Sequence, residues 1–412
     1  MTDSLLRLTS AKEAGALALM TAVIAVMILS LPGSPIVDES VHYAQAQMFA
    51  RGEWHIHEAL STWPTINLAV AAAIRLSGLE SLTVARATVA LFALLGVVAY
   101  YKLAAHFDSP SAICKTAQFF LLPIVLPLCG LVYTDIPALA AIFWMFYGAV
   151  KKSALVFCAA GLLAVAFRQT NILWLLAGCA FYAYLLRSNR STWRSILPLL
   201  AFAVITSAVW VLVIRATGGV ALTPVTQGTH VLQARGLPNV EFALGLGGIL
   251  FLPIMASLGP RMRLLFLHRR SAVIGVVVLL TIAIALTFNV SHPYNTEPTL
   301  MRYLVRNRLL HEISDDTLRW FFALVVALSA LGFALFPFWP RTKNLRIPFF
   351  AVVAASLLPF WLIEQRYYLP FYALFNLLRQ PLNPRFERAQ LLYNVTLAGA
   401  ALWLIIGNDM FL

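Results

Sequence analysis

Apolar residues in this chain come in runs, several of them near or above the roughly 18–20 residues that cross a bilayer as a helix. That repetition leaves few folds open. Inside hydrocarbon the backbone N–H and C=O groups must be satisfied within the protein, which restricts spanning segments to helices and closed barrels. The alternating, turn-punctuated segments of a barrel do not occur. Hydrophobic residues make up 61% of the 412 and charged residues only 11%, more apolar surface than a water-soluble domain of this size can hide. The pattern predicts an all-α polytopic membrane protein, built as a single integral-membrane domain over residues 1–412.

Hydropathy divides the chain into about thirteen transmembrane helices, near 14–31, 83–103, 113–130, 134–150, 153–167, 170–186, 195–214, 241–258, 271–289, 320–338, 347–363, 366–379 and 391–407. The first run lacks a small-residue cleavage site, so it reads as a retained helix and not as a signal peptide. Charge then sets sidedness. The N-terminus and the turns 102–115, 151–152, 187–194, 261–270, 341–346 and 379–388 together hold 19 Lys and Arg against 4 acids, and the opposite side holds 11 against 13. The basic side is expected to be cytoplasmic. This division makes 63–78 a helix lying in the outer interface, because a crossing there would exchange the sides of every later loop. The first outer loop is then 32–82, partly helical and interfacial, with further outer loops at 215–240 and 290–319.

The net charge of +13 follows from the same loop rule. No exposed basic domain supplies the footprint that nucleic acid needs, so no nucleic-acid partner is expected. Cys114, Cys129, Cys158 and Cys179 fall in or beside apolar runs without metal-ligand spacing and read as packing residues.

The polar clusters gather on the outer side. Asp38 and Glu39 stand just beyond the first apolar run, and charge beside a bilayer is expensive. If 38–51 is a helix started by Pro35 and Asp38, then Asp38, His42 and Gln45 share one face while Glu39, Tyr43 and Gln47 line the neighbouring strip. A carboxylate base with polar residues positioning a hydroxylated acceptor fits this pattern; a capped interfacial helix with solvated acids is the bland alternative. Arg168-Gln169-Thr170-Asn171 interrupts an apolar stretch. An arginine there must find a counter-charge or snorkel, and its fork suits a phosphate. Glu364-Gln365-Arg366-Tyr367-Tyr368 offers a second guanidinium for an anionic headgroup, unless Glu364 simply pairs with Arg366. Asp135 is either the cap of a helix opening at Pro137 or a second carboxylate near the site. The loop 290–319, with His292, Tyr294 and Arg302, is the most basic outer loop and fits either a lipid phosphate or an amphipathic helix on anionic lipid.

Asp38-Glu39, His42 and Gln45-Ala-Gln47, then Phe167-Arg-Gln-Thr-Asn-Ile-Leu-Trp174, Gly218-Gly219-Val220 with His230 beyond, His292 with Tyr294, and Arg366-Tyr367 before Pro370, occur in this order. Taken together they resemble the family of dolichyl-phosphate-glucose-dependent α-1,2-glucosyltransferases, which add the last glucose to the dolichol-linked oligosaccharide. The resemblance implies a GT-C glycosyltransferase fold, a polyprenyl-phosphate sugar donor and a site on the non-cytoplasmic face. It further implies Asp38 as general base with Glu39 beside it, and Arg168, Gln169, Asn171 and Arg366 as members of matching blocks. A polar Asp-Asn-Arg-His-Tyr run of the family is replaced here by Glu297-Pro-Thr-Leu-Met-Arg302-Tyr303. The short loops suggest a compact bacterial relative.

The expected reaction moves a hexose, glucose by the resemblance, to a lipid-linked or cell-envelope glycan acceptor with inversion. Asp38 and Glu39 are the catalytic candidates. His42, Gln45, Gln47, Asp135, Arg168, Gln169, Asn171, His292, Tyr294, Arg302, Arg366 and Tyr367 are the substrate-binding candidates. Neither a cofactor nor a metal is expected, since two adjacent acids do not easily chelate one ion. Membrane lipids are the remaining partners. The expected location is a bacterial inner membrane with the site facing the periplasm or exterior, or the endoplasmic reticulum in a eukaryote. A transporter or flippase is the rival reading, although it would favour internal repeats and polar groups at mid-helix. A lipid-binding protein that kept the fold without the activity is a third.

Overall fold

The computed structural model describes residues 11–186, 192–228, 235–340, 342–407 and 411, without the side chains of 12, 13, 192–195 and 301–303. Expectations for the extreme N-terminus, for the turn at 187–191 and for His230 lie outside the described residues, as does the Arg302 side chain. The described residues form helices and no strand. They fall into two compact units, residues 1–116 with 125–231, and residues 117–124 with 232–412.

The first unit contains α1 (Ala11–Ser30), α2 (Glu39–Arg51), α3 (Thr65–Ser77), α4 (Leu82–Asp108), most of the short α5 (Ala112–Phe120), α6 (Asp135–Val150), α7 (Ala154–Phe167), α8 (Ile172–Leu186), α9 (Thr192–Thr217) and α10 (Pro224–Gln227). Its centre is α6, apolar on every side and buried except at Trp144 and Val150. Helix α6 turns back into α7 through Gly148. A Cβ there would stand 2.6 Å from the Phe157 nitrogen, so only glycine lets the two helices meet so closely. Helix α3, at 13 residues, is about 20 Å long, shorter than the roughly 30 Å of hydrocarbon.

The run 113–130 is not one spanning helix. Helix α5 stops at Phe120, and Pro123, Pro127 and Gly130 hold the following chain in turns, because proline cannot continue a helical hydrogen-bond ladder. Residues 122–134 are nevertheless buried. Buried amides need partners, and that of Val132 finds one in a first-unit side chain described below.

The second unit contains α11 (Leu237–Leu250), α12 (Leu252–Ala256), α13 (Gly259–Thr287), α14 (Pro293–Thr296), α15 (Pro298–Tyr303), α16 (Val305–Ser314), α17 (Asp316–Leu335), α18 (Arg346–Leu357), α19 (Leu369–Leu378) and α20 (Pro384–Ile406). Helices α11 and α17 cross where Gly248 meets Ser329; a Cβ on Gly248 would overlap the Ser329 hydroxyl and stand 2.7 Å from its Cβ. The run 366–379 is also no span. Its helix, α19, has 10 residues, about half the hydrocarbon thickness, and every one of them is buried.

Arg379, which follows α19, was expected in a basic loop, yet it is wholly buried. Its guanidinium donates to both oxygens of Glu387, at 2.6 and 2.7 Å, to Gln118 Oε1 at 2.7 Å and to Asn376 Oδ1 at 3.0 Å. Gln118 Nε2 donates in turn to Glu387 Oε2 at 2.9 Å. A buried charge survives only when paired and fully hydrogen-bonded, and this one is.

Among the described residues, six helical stretches are long and apolar enough to cross a membrane: Leu82–Phe120, Gln169–Leu186, Ile196–Thr217, Gly259–Thr287, Asp316–Leu335 and Pro384–Ile406. Five shorter apolar helices accompany them. The chain is a multi-pass, all-helical membrane protein.

Candidate active site

The acid pair opens α2, as the sequence predicts, and Gly52 closes it with a left-handed φ of 88°. The facing differs from the prediction. Glu39, His42, Gln45, Ala46 and Phe49 form the buried side of α2, while Asp38 is only half-buried. Asp38 precedes the helix but makes no side-chain capping bond.

Glu39 is fully enclosed and its two oxygens are saturated. Oε1 accepts from Arg86 Nε at 3.0 Å and from the Val132 amide at 3.0 Å; Oε2 accepts from Arg86 Nη2 at 2.7 Å and from the Ile36 amide at 3.0 Å. Arg86 also donates to the carbonyls of Pro32 and Ser34. The acid pair has no basic neighbour in sequence, but α4 supplies one. Arg86 sits inside an apolar run, and a charge in such a place is itself the signal that could have found it.

The backbone before Asp38 is unusual. Val37 has φ 51°, a left-handed conformation that a β-branched residue adopts only under constraint. The constraint is visible. The Tyr133 hydroxyl donates to the Ile36 carbonyl at 3.2 Å and accepts from the Asp38 amide at 3.2 Å, bracketing Val37. The Glu39 carboxylate holds the Ile36 amide from the other side. Tyr133 and Glu39 therefore fix the turn that presents Asp38. Such strain persists where the surroundings over-determine it, commonly at functional sites.

Two residues beyond Tyr133, Asp135 in the first turn of α6 forms an ion pair with Arg168. Arg168 lies in extended conformation between α7 and a short 3-10 turn, Gln169–Asn171, so the counter-charge required of a guanidinium near apolar surroundings is Asp135. In the first unit Asp38 is thus tied through its amide to Tyr133, and Asp135, two residues further on, to Arg168.

Several candidates spend their polar atoms on internal bonds. Gln45 donates to the His55 carbonyl and accepts from the His57 amide, ordering the 55–57 loop, and Gln47 donates to Glu80. The His42 carbonyl accepts from Asn67 at 2.7 Å, and its ring lies 6.1 Å from that of Tyr133. Asn171 donates to Ala164 at the end of α7. Gln169 donates to the carbonyls of Ser61 and Val220, while its own carbonyl accepts from Trp210; its Oε1 is buried with no partner.

In the second unit, the segments 292–307 and 361–367 are knitted together. His292 caps α14 by accepting from the Tyr294 amide, and its ring packs 4.8 Å from Trp361. Tyr294 is exposed. Asn295 pairs with the backbone of Ile363 as donor and acceptor, both at 3.0 Å. Glu364, buried, takes ion pairs from both Arg306 and Arg366. Burial pushes its carboxyl up, but the two guanidiniums outweigh that and hold it down at about 2. The alternative left open for Glu364, that it pairs with Arg366, is realised, with Arg306 as a second partner. Arg366 and Tyr367 are half-buried, Tyr367 stacking on Phe360 at 4.7 Å.

Comparison with known proteins agrees with the sequence resemblance. Residues 33–196 match the DIE2/ALG10 family. The chain is also 30% identical over 163 residues to the Dol-P-Glc:Glc(2)Man(9)GlcNAc(2)-PP-Dol alpha-1,2-glucosyltransferase of Arabidopsis thaliana. That alignment covers 34% of this chain and 32% of the plant protein, so the chain matches about a third of that relative's length. Among solved structures, it is similar to ArnT from Cupriavidus metallidurans in the apo state, at a TM-score of 0.43 and 18% identity over 97% of this chain and 77% of ArnT. The undecaprenyl-phosphate-bound form of ArnT gives a TM-score of 0.43 and 17% identity over 96% and 76% of the two chains. The DIE2/ALG10 match contains every first-unit residue described above from Asp38 to Asn171. His292, Tyr294, Arg302 and Arg366 lie outside it.

Proposed function

We propose that the protein is a GT-C-type glycosyltransferase that moves a hexose, glucose in the first instance, from a polyprenyl-phosphate carrier to a lipid-linked or cell-envelope glycan acceptor. The observation that carries this reading is the strained turn at Val37, splinted by Tyr133 and Glu39, which presents half-buried Asp38 inside the stretch that matches the DIE2/ALG10 family, a stretch that also holds the Asp135–Arg168 pair. Asp38 takes the proton of the attacking hydroxyl. The hydroxyl oxygen forms a bond to the anomeric carbon from one face as the carrier phosphate leaves from the other, inverting the configuration. Arg168 is the first-unit guanidinium that balances the phosphate charge.

Glu39 is a positioning residue in this mechanism. Its oxygens already accept from Arg86 and two backbone amides, so Asp38 is the better base. The same commitment argues against a metal shared by the acid pair. The site faces the non-cytoplasmic side of a bacterial inner membrane in this reading, and the whole chain acts as one transferase.

Purified protein supplied with a radiolabelled synthetic polyprenyl-phosphate glucose and a lipid-linked glycan tests the proposal. Transfer should be seen, and Asp38→Asn should reduce it by roughly 10²-fold or more, the contribution typical of a general base. Near-normal turnover in Asp38→Asn removes that residue from the role. Movement of substrate across sealed vesicles without a new glycosidic bond would favour a transporter instead.

A further inference from the structure

Helix α13 has a basic end that the proposed reaction does not use. Within Gly259–Arg270 lie Arg261, Arg263, His268, Arg269 and Arg270, and no acid. All five are exposed. Among the described residues no carboxylate stands within ion-pair distance of the four arginines. The Arg270 guanidinium rests over the Phe266 ring at 5.5 Å, and His268 Nδ1 lies 2.8 Å from the Leu264 carbonyl.

The remainder of the helix, Ser271–Thr287, has no charged residue. It is about 25 Å long, close to the hydrocarbon thickness of a bilayer. With that part in the membrane, the arginines stand at the level of the lipid phosphates. Arg269 marks the junction with a non-helical φ of −139° and ψ of 35°. Leu264 and Leu267 are exposed among the arginines, at 58% and 68%, as suits side chains at the boundary between acyl chains and headgroups. At 3.6 residues per turn Arg261 and Arg263 lie on nearly opposite sides of the helix. Charge distributed around a helix does not fit one flat protein partner. It fits a ligand that surrounds the helix, and a guanidinium fork matches a phosphate.

We propose that Arg261, Arg263, Arg269 and Arg270 form a collar that binds the headgroups of anionic phospholipids. The protein draws a shell of such lipids to the basic end of α13, independently of any sugar donor.

The full-length protein, reconstituted in nanodiscs of mixed phosphatidylcholine and phosphatidylglycerol, tests this through the composition of the lipid it retains on native mass spectrometry. The parent should enrich phosphatidylglycerol. Replacing the four arginines together with glutamine, which keeps helix propensity, should reduce the enrichment about ten-fold or more, and replacing them with lysine should preserve most of it. Equal enrichment in the parent and the glutamine variant overturns the proposal, as does a parent with no enrichment. Should the glutamine variant not fold, salt gives the same test on the parent. Enrichment must fall as the screening length shortens from about 10 Å at 0.1 M to about 3 Å at 1 M ionic strength, and salt-insensitive enrichment sinks the idea.

Discussion

Arg86 of α4 grips Glu39 of α2 through both carboxylate oxygens, at 3.0 and 2.7 Å, with both side chains sealed from solvent. Removing one partner leaves the other as a buried, uncompensated charge. Arg86→Met should therefore destabilise the purified protein by about 3–5 kcal/mol, read as a fall in thermal midpoint by tryptophan fluorescence. Asp38→Asn, which keeps the size and hydrogen-bonding capacity of the side chain and leaves the Arg86–Glu39 pair intact, should lower that midpoint less. Equal losses in the two variants would contradict the division of labour between positioning and proton transfer.

The Tyr133 hydroxyl brackets Val37 by bonding to the residues on either side of it. Tyr133→Phe leaves two backbone groups without that partner and should cost about 1–3 kcal/mol. Val37→Gly should range from neutral to stabilising by about 1.5 kcal/mol. Relief of left-handed strain, about 1–2 kcal/mol, is offset by about 0.5–1 kcal/mol of added chain entropy in the unfolded state. Both variants should lower kcat more than they raise KM, because each loosens the turn that aims Asp38. A pure KM effect would remove the turn from the chemistry.

Glu364 gives a pH signature. Its folded-state pKa of about 2 lies below the ordinary 4.5, so its contribution to stability is complete above about 4.5 and is lost as pH falls toward 2. Thermal midpoints should drop across that window, and Glu364→Gln should flatten the drop while lowering stability at neutral pH. An unchanged acid limb in Glu364→Gln would show that other carboxylates set it.

Gly248 touches Ser329 where α11 crosses α17. Gly248→Ala should cost about 1–3 kcal/mol by overpacking, and adding Ser329→Ala should return part of it. A fully additive double mutant would mean that the crossing relaxes elsewhere.

Hydropathy and charge made the helical membrane class legible, because the physics of satisfying backbone groups in hydrocarbon leaves little choice. They overreached where an apolar run was buried inside protein. Residues 113–130 and α19 are as apolar as a span, but proline breaks the first after Phe120 and the second is a helix of 10 residues. Charge counting had the matching fault. It treats every Lys and Arg as a loop residue, and Arg379 is an interior one. In the candidate site, the motif Asp38-Glu39 was readable, but which acid is committed was not. That depended on Arg86 and Val132, 47 and 93 positions away from Glu39. The bonds that Gln45, Asn171 and Gln169 make to backbone groups of the first unit were not readable either, because their partners lie in other turns of the chain.

The Arg379 guanidinium finds its carboxylate eight residues later, in α20. During synthesis the cation emerges before its anion, and the pair forms only once α20 has followed. A chain stopped anywhere between them would be left with a naked charge in greasy surroundings, an uncapped defect of the kind quality-control proteases cut. A chain cut between Arg379 and Glu387 should therefore be less stable than one that reaches α20, because the guanidinium keeps Gln118 and Asn376 as partners but lacks the Glu387 carboxylate.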